Sequence, residues 1–154
     1  MPSAHDSDTP PLGDRLGYVF VKAAWKVRQC YAEKLADVGL LPNQHAILST
    51  LNELGPCHQK ALAARVVLDP GDIVAYLDTL QKSRYVERNR DPEDRRRQIV
   101  SITDEGRELL IAADRALDDV EAAVFGTMSR EHQALLAEAV AAISALDAPA
   151  ACHG

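Results

Sequence analysis

The segment Leu77–Gly106 places the strongest constraint on how this chain can fold. Its apolar residues change from the three-to-four spacing of a helix to a short β-type run at residues 99–102. A polar stretch, Asp91–Arg97, separates this run from an extended segment around Val86, and its Asp-Pro pair favours a turn. The segment therefore predicts the end of a helix, a β-hairpin and the start of another helix.

The predicted hairpin is basic, although the chain as a whole is acidic. Residues 82–97 contain seven Lys or Arg and four Asp or Glu, a net charge of +3. The whole chain carries −6, so the remainder carries −9. A solvated charged turn is one explanation, and charge alone leaves it open. The other is a finger that enters the narrow, negative minor groove of DNA, where arginine is favoured.

Two short helices are predicted directly before the hairpin. The first covers Gln59–Val66, and the second begins after Asp69, which can act as an N-cap, with Pro70 at the first helical position. Two short helices followed by a basic hairpin indicate a winged helix-turn-helix, whose second helix enters the major groove. The apolar stripe of that second helix consists of Ile73, Val74, Leu77 and Leu80.

Several spaced motifs run through this region and precede it. They are Leu77-x-x-Leu80, Val86-x-Arg88, Asp91-x-x-Asp94-x-Arg96, Val100-x-Ile102-Thr103-x-x-Gly106 and, upstream, Gly39-Leu40-Leu41-Pro42-Asn43-Gln44 with Ile47-Leu48. Together they resemble the signature of the MarR (multiple-antibiotic-resistance regulator) family. The resemblance implies an obligate homodimeric transcriptional regulator, here expected to be a repressor. Such regulators bind pseudo-palindromic operators in double-stranded DNA and are often released by small phenolic ligands or by oxidation.

We expect a mainly α fold with a small β-hairpin, in which six helices and two or three short strands form one domain at residues 12–147. A chain of 154 residues fits one domain with a real core. The predicted parts are a mobile N-terminal tail at 1–11, dimerisation helices at 12–38 and 104–147, a DNA-binding lobe at 42–102 and a C-terminal tail at 148–154.

The ends of the predicted helices carry recognisable signals. The first helix is predicted to run from residue 12 to 38 and to stop at Gly39. The second is predicted at residues 42–54, with Leu54 facing inward. Thr103 and Ser129 are predicted to cap the last two helices.

The DNA contacts are assigned from the helical faces and from the resemblance. The resemblance implies that Arg96 is the minor-groove arginine and that Arg95 also reaches DNA. Relatives commonly carry Ser, Thr or Arg where this chain has Asp72 and Ala75. Asp72 can accept from cytosine N4, and Ala75 offers only apolar contact, for example to a thymine methyl. We therefore expect fewer direct base hydrogen bonds and more reliance on the wing and on phosphate contacts. The predicted DNA-binding residues are Gln59, Lys60, Pro70, Gly71, Asp72, Ala75, Tyr76, Thr79, Lys82, Arg88, Arg95 and Arg96.

Acidic residues of the turn are predicted to brace the wing. Asp94 is expected to hold an arginine by a charge-assisted hydrogen bond, and Asp91 is the second predicted bracing residue. For Arg97, pairing with Asp91 or Glu93 inside the hairpin is the alternative to a contact with DNA.

A second face of the first helix carries Arg15, Tyr18, Lys22 and Trp25 at helical spacing. Dimer packing would explain this face, and an effector pocket is the alternative. Arg15 or Lys22 can pair with a carboxylate, and Trp25 or Tyr18 can stack on an aromatic ring. The resemblance supports the pocket, because MarR relatives often hold aromatic carboxylates between the first helix and the DNA-binding lobe. His45 is a further candidate effector residue, with a packing role as its alternative.

Other classes of function have less support. A redox-sensing regulator using Cys30 is the alternative, but a sensing thiol needs exposure and a lowered pKa, and Cys30 lies on the main apolar stripe. The sequence has no Gly-rich phosphate loop, no GxSxG elbow and no spaced metal-ligand pair. We therefore expect no enzyme, no catalytic residue, no cofactor and no metal site. No apolar run approaches ~20 residues, so a cytoplasmic protein without membrane contact is expected.

Overall fold

The computed structural model describes residues 9–146, which form six α-helices and one three-stranded sheet. This confirms the predicted mainly α fold with a small hairpin. The chain divides into two compact units, residues 1–117 and 118–154. The predicted C-terminal tail and residues 1–8 of the N-terminal tail lie outside the described residues. The elements are a 3₁₀ turn at Leu12–Asp14, α1 at Leu16–Ala36, α2 at Pro42–Leu54, β1 at Cys57–His58, α3 at Gln59–Arg65, α4 at Pro70–Lys82, β2 at Val86–Arg90, β3 at Gln98–Ile102, α5 at Asp104–Phe125 and α6 at Arg130–Ser144.

The core of the first unit is formed by the apolar sides of α2, α3, α4 and the hairpin, together with side chains of α1 and α5. Most of the predicted α4 stripe is fully buried, but Val74 lies at its edge and is 38% exposed. Each fully buried side chain of this size contributes about 1.5–3 kcal/mol, so this stripe fixes which side of α4 faces solvent. The largest fully buried side chains are Leu35, Ile47, Leu48, Leu51, Leu62, Ile73, Leu77, Leu80, Val86 and Val100.

The first two helices each differ from the predictions in one respect. Arg15 is extended (φ −76°, ψ 117°) and separates the 3₁₀ turn from α1, so residues 12–38 are not one continuous helix. Leu54 was predicted to face inward and is 51% exposed, because it is the last residue of α2 before Gly55 turns the chain away. Gln44 is buried instead, and its Oε1 accepts a hydrogen bond from the Leu41 N–H at 3.0 Å.

The start of α4 agrees with the sequence in one respect and differs in another. Asp69 is extended at the N-cap position and Pro70 begins the helix, as predicted. The Asp69 carboxylate, however, makes no capping hydrogen bond. The Asp72 N–H donates to the Asp69 carbonyl at 3.0 Å in a tight turn, so this donor is already satisfied.

The sheet joins the hairpin to the strand before the helix-turn-helix. β2 and β3 are antiparallel, and the other edge of β3 pairs with β1, where Cys57 lies opposite Val100. As predicted, Thr103 caps α5, since its Oγ1 accepts from the Gly106 N–H at 3.0 Å. A Cβ at Gly106 would lie 2.2 Å from the Tyr85 carbonyl oxygen, so glycine allows the first turn of α5 to pack on the base of the hairpin.

A buried aspartate holds the turn of the hairpin against β1. Asp91 is 8% exposed, and its Oδ2 lies 2.7 Å from His58 Nε2. Its Oδ1 accepts from the Glu93 N–H at 2.9 Å, and its own N–H donates to the Arg97 carbonyl. The hydrogen bond with His58, followed by that from Glu93, holds the pKa of Asp91 below its ordinary value. The wing is thus tied at its turn as well as along its strands.

The second unit contains the end of α5 and α6. Ser129 caps α6 as predicted, since its Oγ accepts from the His132 N–H at 3.2 Å. Gln133 Nε2 donates to the carbonyls of Phe125 and Met128, at 3.0 and 3.1 Å, and so ties the turn before α6 to its first residues. Most apolar side chains of α6 are exposed, whereas Leu136 is half-buried. No helix within residues 9–146 is long and apolar enough to cross a membrane.

Arg84 is strained in the turn that follows α4. Its φ is +64°, and Tyr85 N–H donates to the Leu80 carbonyl at 2.9 Å to close the turn. A left-handed backbone conformation costs a non-glycine residue about 1–2 kcal/mol, and glycine would remove this strain. Glycine also makes the unfolded chain more flexible, which offsets about 0.4–1 kcal/mol of that gain. We therefore expect Arg84→Gly to raise the free energy of unfolding by roughly 0.5–1 kcal/mol, measured by urea denaturation.

The neighbouring Ser83 provides the matched control for this change. It is also exposed, but its φ is −85°, so Ser83→Gly adds only the entropic cost and should destabilise the protein. Equal destabilisation by the two glycine variants would contradict the strain at Arg84.

The Asp91 brace makes stability depend on pH. Because folding lowers the Asp91 pKa, its ionised form stabilises the fold above the ordinary aspartate pKa of about 3.9. That contribution is lost as the pH falls through the lowered value. Asp91→Asn should reduce the free energy of unfolding at pH 7 and flatten its decline below about pH 4. Urea unfolding across this pH range measures both effects.

Glu93→Gln is the control for the brace, because Glu93 contributes only its backbone N–H. It should keep the pH dependence of the parent. An Asp91→Asn protein whose stability falls with acid as steeply as the parent would rule out this account.

Candidate nucleic-acid interface

One side of α4 faces solvent along its whole length. Burial of Ile73, Leu77 and Leu80 turns the opposite side outward, because residues three and four apart share a helix face. Six of the residues on this side are exposed, and five of them were predicted to contact DNA, with Asp78 the addition. They are Gly71, Asp72, Ala75, Asp78, Thr79 and Lys82.

Tyr76 was also predicted to contact DNA, but the structure places it elsewhere. It is half-buried, packs against the core, and its hydroxyl accepts a hydrogen bond from Asn43 Nδ2 at 3.0 Å. Tyr76 therefore links α4 to α2. Nothing in the sequence near Tyr76 identifies Asn43 as its partner, because the two residues are 33 positions apart.

A cleft of about 260 Å³ lies between the starts of α3 and α4 and the wing. It brings together Gln59, Lys60, Pro70 and Arg96, four of the predicted DNA-binding residues. Gln59 Oε1 is buried and makes no hydrogen bond to the described part of the chain. Lys60 and Arg96 are exposed at this cleft, so positive charge lies beside the first turn of α4.

Arg88, a further predicted DNA contact, connects the wing to α4. Its Nε donates to Gln81 Oε1 at 2.6 Å, and its Nη2 donates to Asp78 Oδ1. The Arg88 side chain is only 19% exposed. These bonds fix the position of β2 relative to α4, a role for Asp78 and Gln81 that the sequence analysis missed. The sequence spacing does not indicate these contacts, because Arg88 lies on β2 and its partners lie on α4, on the other side of a turn.

The tip of the wing presents three consecutive exposed arginines, Arg95, Arg96 and Arg97. Arg96 is 91% exposed, and its Nε and Nη2 donate to Asp94 Oδ1 and Oδ2 at 3.1 and 3.2 Å. The hydrogen bonds from Arg96 also lower the pKa of Asp94. Asp94 thus holds an arginine as expected, and that arginine is Arg96. In the described residues Arg97 forms no salt bridge, so the alternative of pairing with Asp91 or Glu93 is not seen.

The predicted effector residues do not gather into one site in the single chain. Lys22 Nζ lies 5.6 Å from the centre of the Tyr18 ring, and Trp25 is 61% exposed. His45 Nε2 lies 2.8 Å from Asp114 Oδ1 of α5. The predicted effector residues Arg15, Tyr18, Lys22 and Trp25 are called the α1 group, and Arg15 is its N-cap residue. Within residues 9–146 no hydrogen bond joins His45 to the α1 group.

The thiols and possible metal ligands do not form a reactive or metal-binding site within residues 9–146. Burial raises the pKa of Cys57, opposed in part by the charge of Arg65, and a raised pKa disfavours the reactive thiolate. Cys30 is half-buried. Residues 9–146 contain no group of three or more His, Cys, Asp or Glu side chains that could hold a metal ion.

Comparison with known proteins relates the chain to DNA-binding regulators. Residues 40–97 match the model of the MarR family. The chain is 27% identical to the HTH-type transcriptional regulator SarZ of Staphylococcus epidermidis over 114 residues, 74% of each protein. It is 28% identical to the HTH-type transcriptional repressor NicR of Pseudomonas putida over 113 residues, 72% of each.

Solved structures resemble this chain over much more than residues 40–97. The transcriptional repressor CouR bound to a 23-mer DNA duplex is 28% identical, with a TM-score of 0.82 over 86% of this chain and 94% of CouR. A MarR-family regulator from Rhodococcus sp. RHA1 is 25% identical, with a TM-score of 0.82 over 89% of this chain and 97% of that protein. By these similarities the chain is a DNA-binding transcriptional regulator of the MarR type.

Proposed function

We propose that the protein is a homodimeric repressor that acts on DNA in the cytoplasm. Each protomer places α4 in the major groove of one half of a pseudo-palindromic operator and its wing in the adjacent minor groove. A small aromatic carboxylate releases the complex. The observation that carries this proposal is the arginine-tipped wing beside the exposed face of α4, on a chain whose net charge is otherwise negative.

Electrostatics favour a single docking orientation. Residues 82–97 carry +3 while the remainder carries −9, so phosphates attract the wing and repel the rest of the surface. The arginines lie at the tip of a hairpin narrow enough to approach the minor groove, where the negative potential is strongest. Affinity would therefore come mainly from the wing, with α4 positioned by it.

The Arg96 guanidinium is held in a defined place before DNA arrives. Its two bonds to Asp94 restrict the side chain, although 91% of it is exposed. An exposed ion pair contributes only about 0–1 kcal/mol, so Arg96 can exchange Asp94 for DNA at little cost. The Asp91 contact with His58 holds the base of the same turn.

Dimer formation is supported by apolar side chains that the single chain leaves in water. Leu16, Val19 and Phe20 on α1 are 84%, 45% and 37% exposed, and on α6 Leu135 and Ile143 are 56% and 51% exposed. Large apolar side chains exposed together on a helix face are typical of a protein–protein interface. A two-fold dimer would place two copies of α4 about one DNA turn, ~34 Å, apart.

An aromatic effector is supported by the chemistry of α1 and by one relative. CouR from Rhodococcus jostii RHA1, 25% identical to this chain, has been solved bound to p-coumaroyl-CoA. The α1 group offers exposed aromatic rings and cations, which suit an aromatic acid. We propose that Arg15, Tyr18, Lys22, Trp25 and His45 contribute to this pocket in the dimer.

Removal of the wing arginine tests the DNA-binding mode. Arg96→Ala should weaken binding to an operator selected from random DNA by about tenfold or more, since charged hydrogen bonds are lost at both wings. The slope of log affinity against log salt should fall by about one for each wing. Fluorescence anisotropy at several salt concentrations measures both quantities.

Arg107→Ala is the matched control for the loss of one positive charge. Arg107 is exposed on α5 and pairs with Asp104 at 2.9 Å, away from the wing. Operator affinity that falls equally in both variants would argue against minor-groove insertion. A stoichiometry of one chain per duplex would contradict the dimer.

Titration with aromatic acids tests the effector. Hydroxybenzoates and hydroxycinnamates should lower operator affinity of the parent protein, while cyclohexanecarboxylate, which lacks an aromatic ring, should not. Lys22→Gln should reduce the response, because the carboxylate loses its cation. Lys34→Gln, at an exposed lysine in the last turn of α1, should retain it. If none of these aromatic acids changed operator affinity, the proposed carboxylate effector would be contradicted.

A further inference from the structure

The outward face of α4 offers DNA few hydrogen-bond donors. In a helix-turn-helix the N-terminal residues of this helix contact the base edges. The side chains exposed in its first two turns are Pro70, Asp72, Val74 and Ala75, with Gly71 adding none. None of them carries a side-chain donor when Asp72 is ionised.

Three polar side chains borne by α4 or packed against it are held by other protein groups. The Arg88 guanidinium is bonded to Asp78 and Gln81. The Thr79 hydroxyl donates to the Ala75 carbonyl at 3.2 Å, and the Tyr76 hydroxyl is turned toward Asn43. Lys82 is the exposed cation of this helix, and it lies in the last turn, away from the base-reading end.

Among the side chains of α4 itself, those exposed in the first two turns offer one acceptor and several carbon atoms. The Asp72 carboxylate is exposed and forms no hydrogen bond or ion pair within residues 9–146. Val74 is 38% exposed, and Ala75 presents its methyl on the outermost side. Guanine shows two acceptors, O6 and N7, in the major groove, so a carboxylate facing it is repelled. Cytosine N4 and adenine N6 are donors, and thymine presents a methyl group.

We infer that the first two turns of α4 read the operator through thymine methyl groups and exocyclic amino groups, and not through guanine O6 and N7. Asp72 accepts from the amino group of cytosine or adenine, and Val74 and Ala75 contact the methyl groups. This inference rests on the proposed function, and it adds the chemical class of base edge that the major-groove helix selects.

Single-atom changes in the DNA test the inference directly. An operator is first selected from random duplexes with the full chain. Replacing a thymine by deoxyuracil removes only the methyl, and it should weaken binding by about fourfold at each thymine under α4. Replacing a guanine by 7-deazaguanine removes N7, and it should leave affinity unchanged in the same half-site. Loss of affinity with 7-deazaguanine and none with deoxyuracil would overturn the inference.

A pair of protein variants assigns the acceptor. Asp72→Asn should move the selected base toward adenine at one symmetric pair of positions, because asparagine bonds adenine N6 and N7 together. Asp69→Asn removes the same charge from the exposed N-cap residue and should leave the motif unchanged. A motif in which Asp72→Asn neither replaces a cytosine by adenine nor strengthens an existing adenine would overturn the role of Asp72. Failure of every protein to select any DNA would instead contradict the proposed function, so the two failures are distinguishable.

Discussion

One-sided burial of α4 is the constraint on which the DNA-facing surface depends. Ile73, Leu77 and Leu80 are fixed in the core, so the side chains on the opposite face project outward without any freedom of rotation about the helix axis. The bonds of Arg88 to Asp78 and Gln81 extend this fixed geometry to the wing. The exposed face of α4 and the wing are therefore held in one arrangement, and in the proposed complex the operator would meet a surface that needs little rearrangement.

The two elements contribute different properties to recognition. The wing carries the positive charge, and its contacts to DNA would supply affinity that depends on salt. The first two turns of α4 carry a negative charge and methyl groups, which in the proposed complex would cost affinity but reject the wrong bases. In that complex the DNA phosphates would repel Asp72 and attract Arg96. Such a division places orientation on the hairpin and discrimination on the helix.

Local patterns in the sequence predicted most of the fold. Helical spacing in α2 and α4, the Asp-Pro turn of the hairpin and the caps at Thr103 and Ser129 each depend on residues a few positions apart. The predictions of burial were wrong where the position or the hydrogen-bond partner of a side chain outweighed its polarity. Leu54 has the apolar character of a core residue but stands at a helix end, and Gln44 is buried because its amide satisfies a backbone N–H. Tyr76 fits the spacing of the outward face but bonds Asn43.

The sequence by itself determined the order of the elements, the basic wing on an acidic chain and the residue types on each helix face. Tertiary structure alone decided which charged side chains are free and which are engaged. Arg88 contacts Asp78 across ten positions, Asp91 contacts His58 across 33, and His45 contacts Asp114 across 69. Helix and strand periodicity arise from neighbours along the chain, whereas these contacts arise from the path the chain takes through space, which no local spacing encodes.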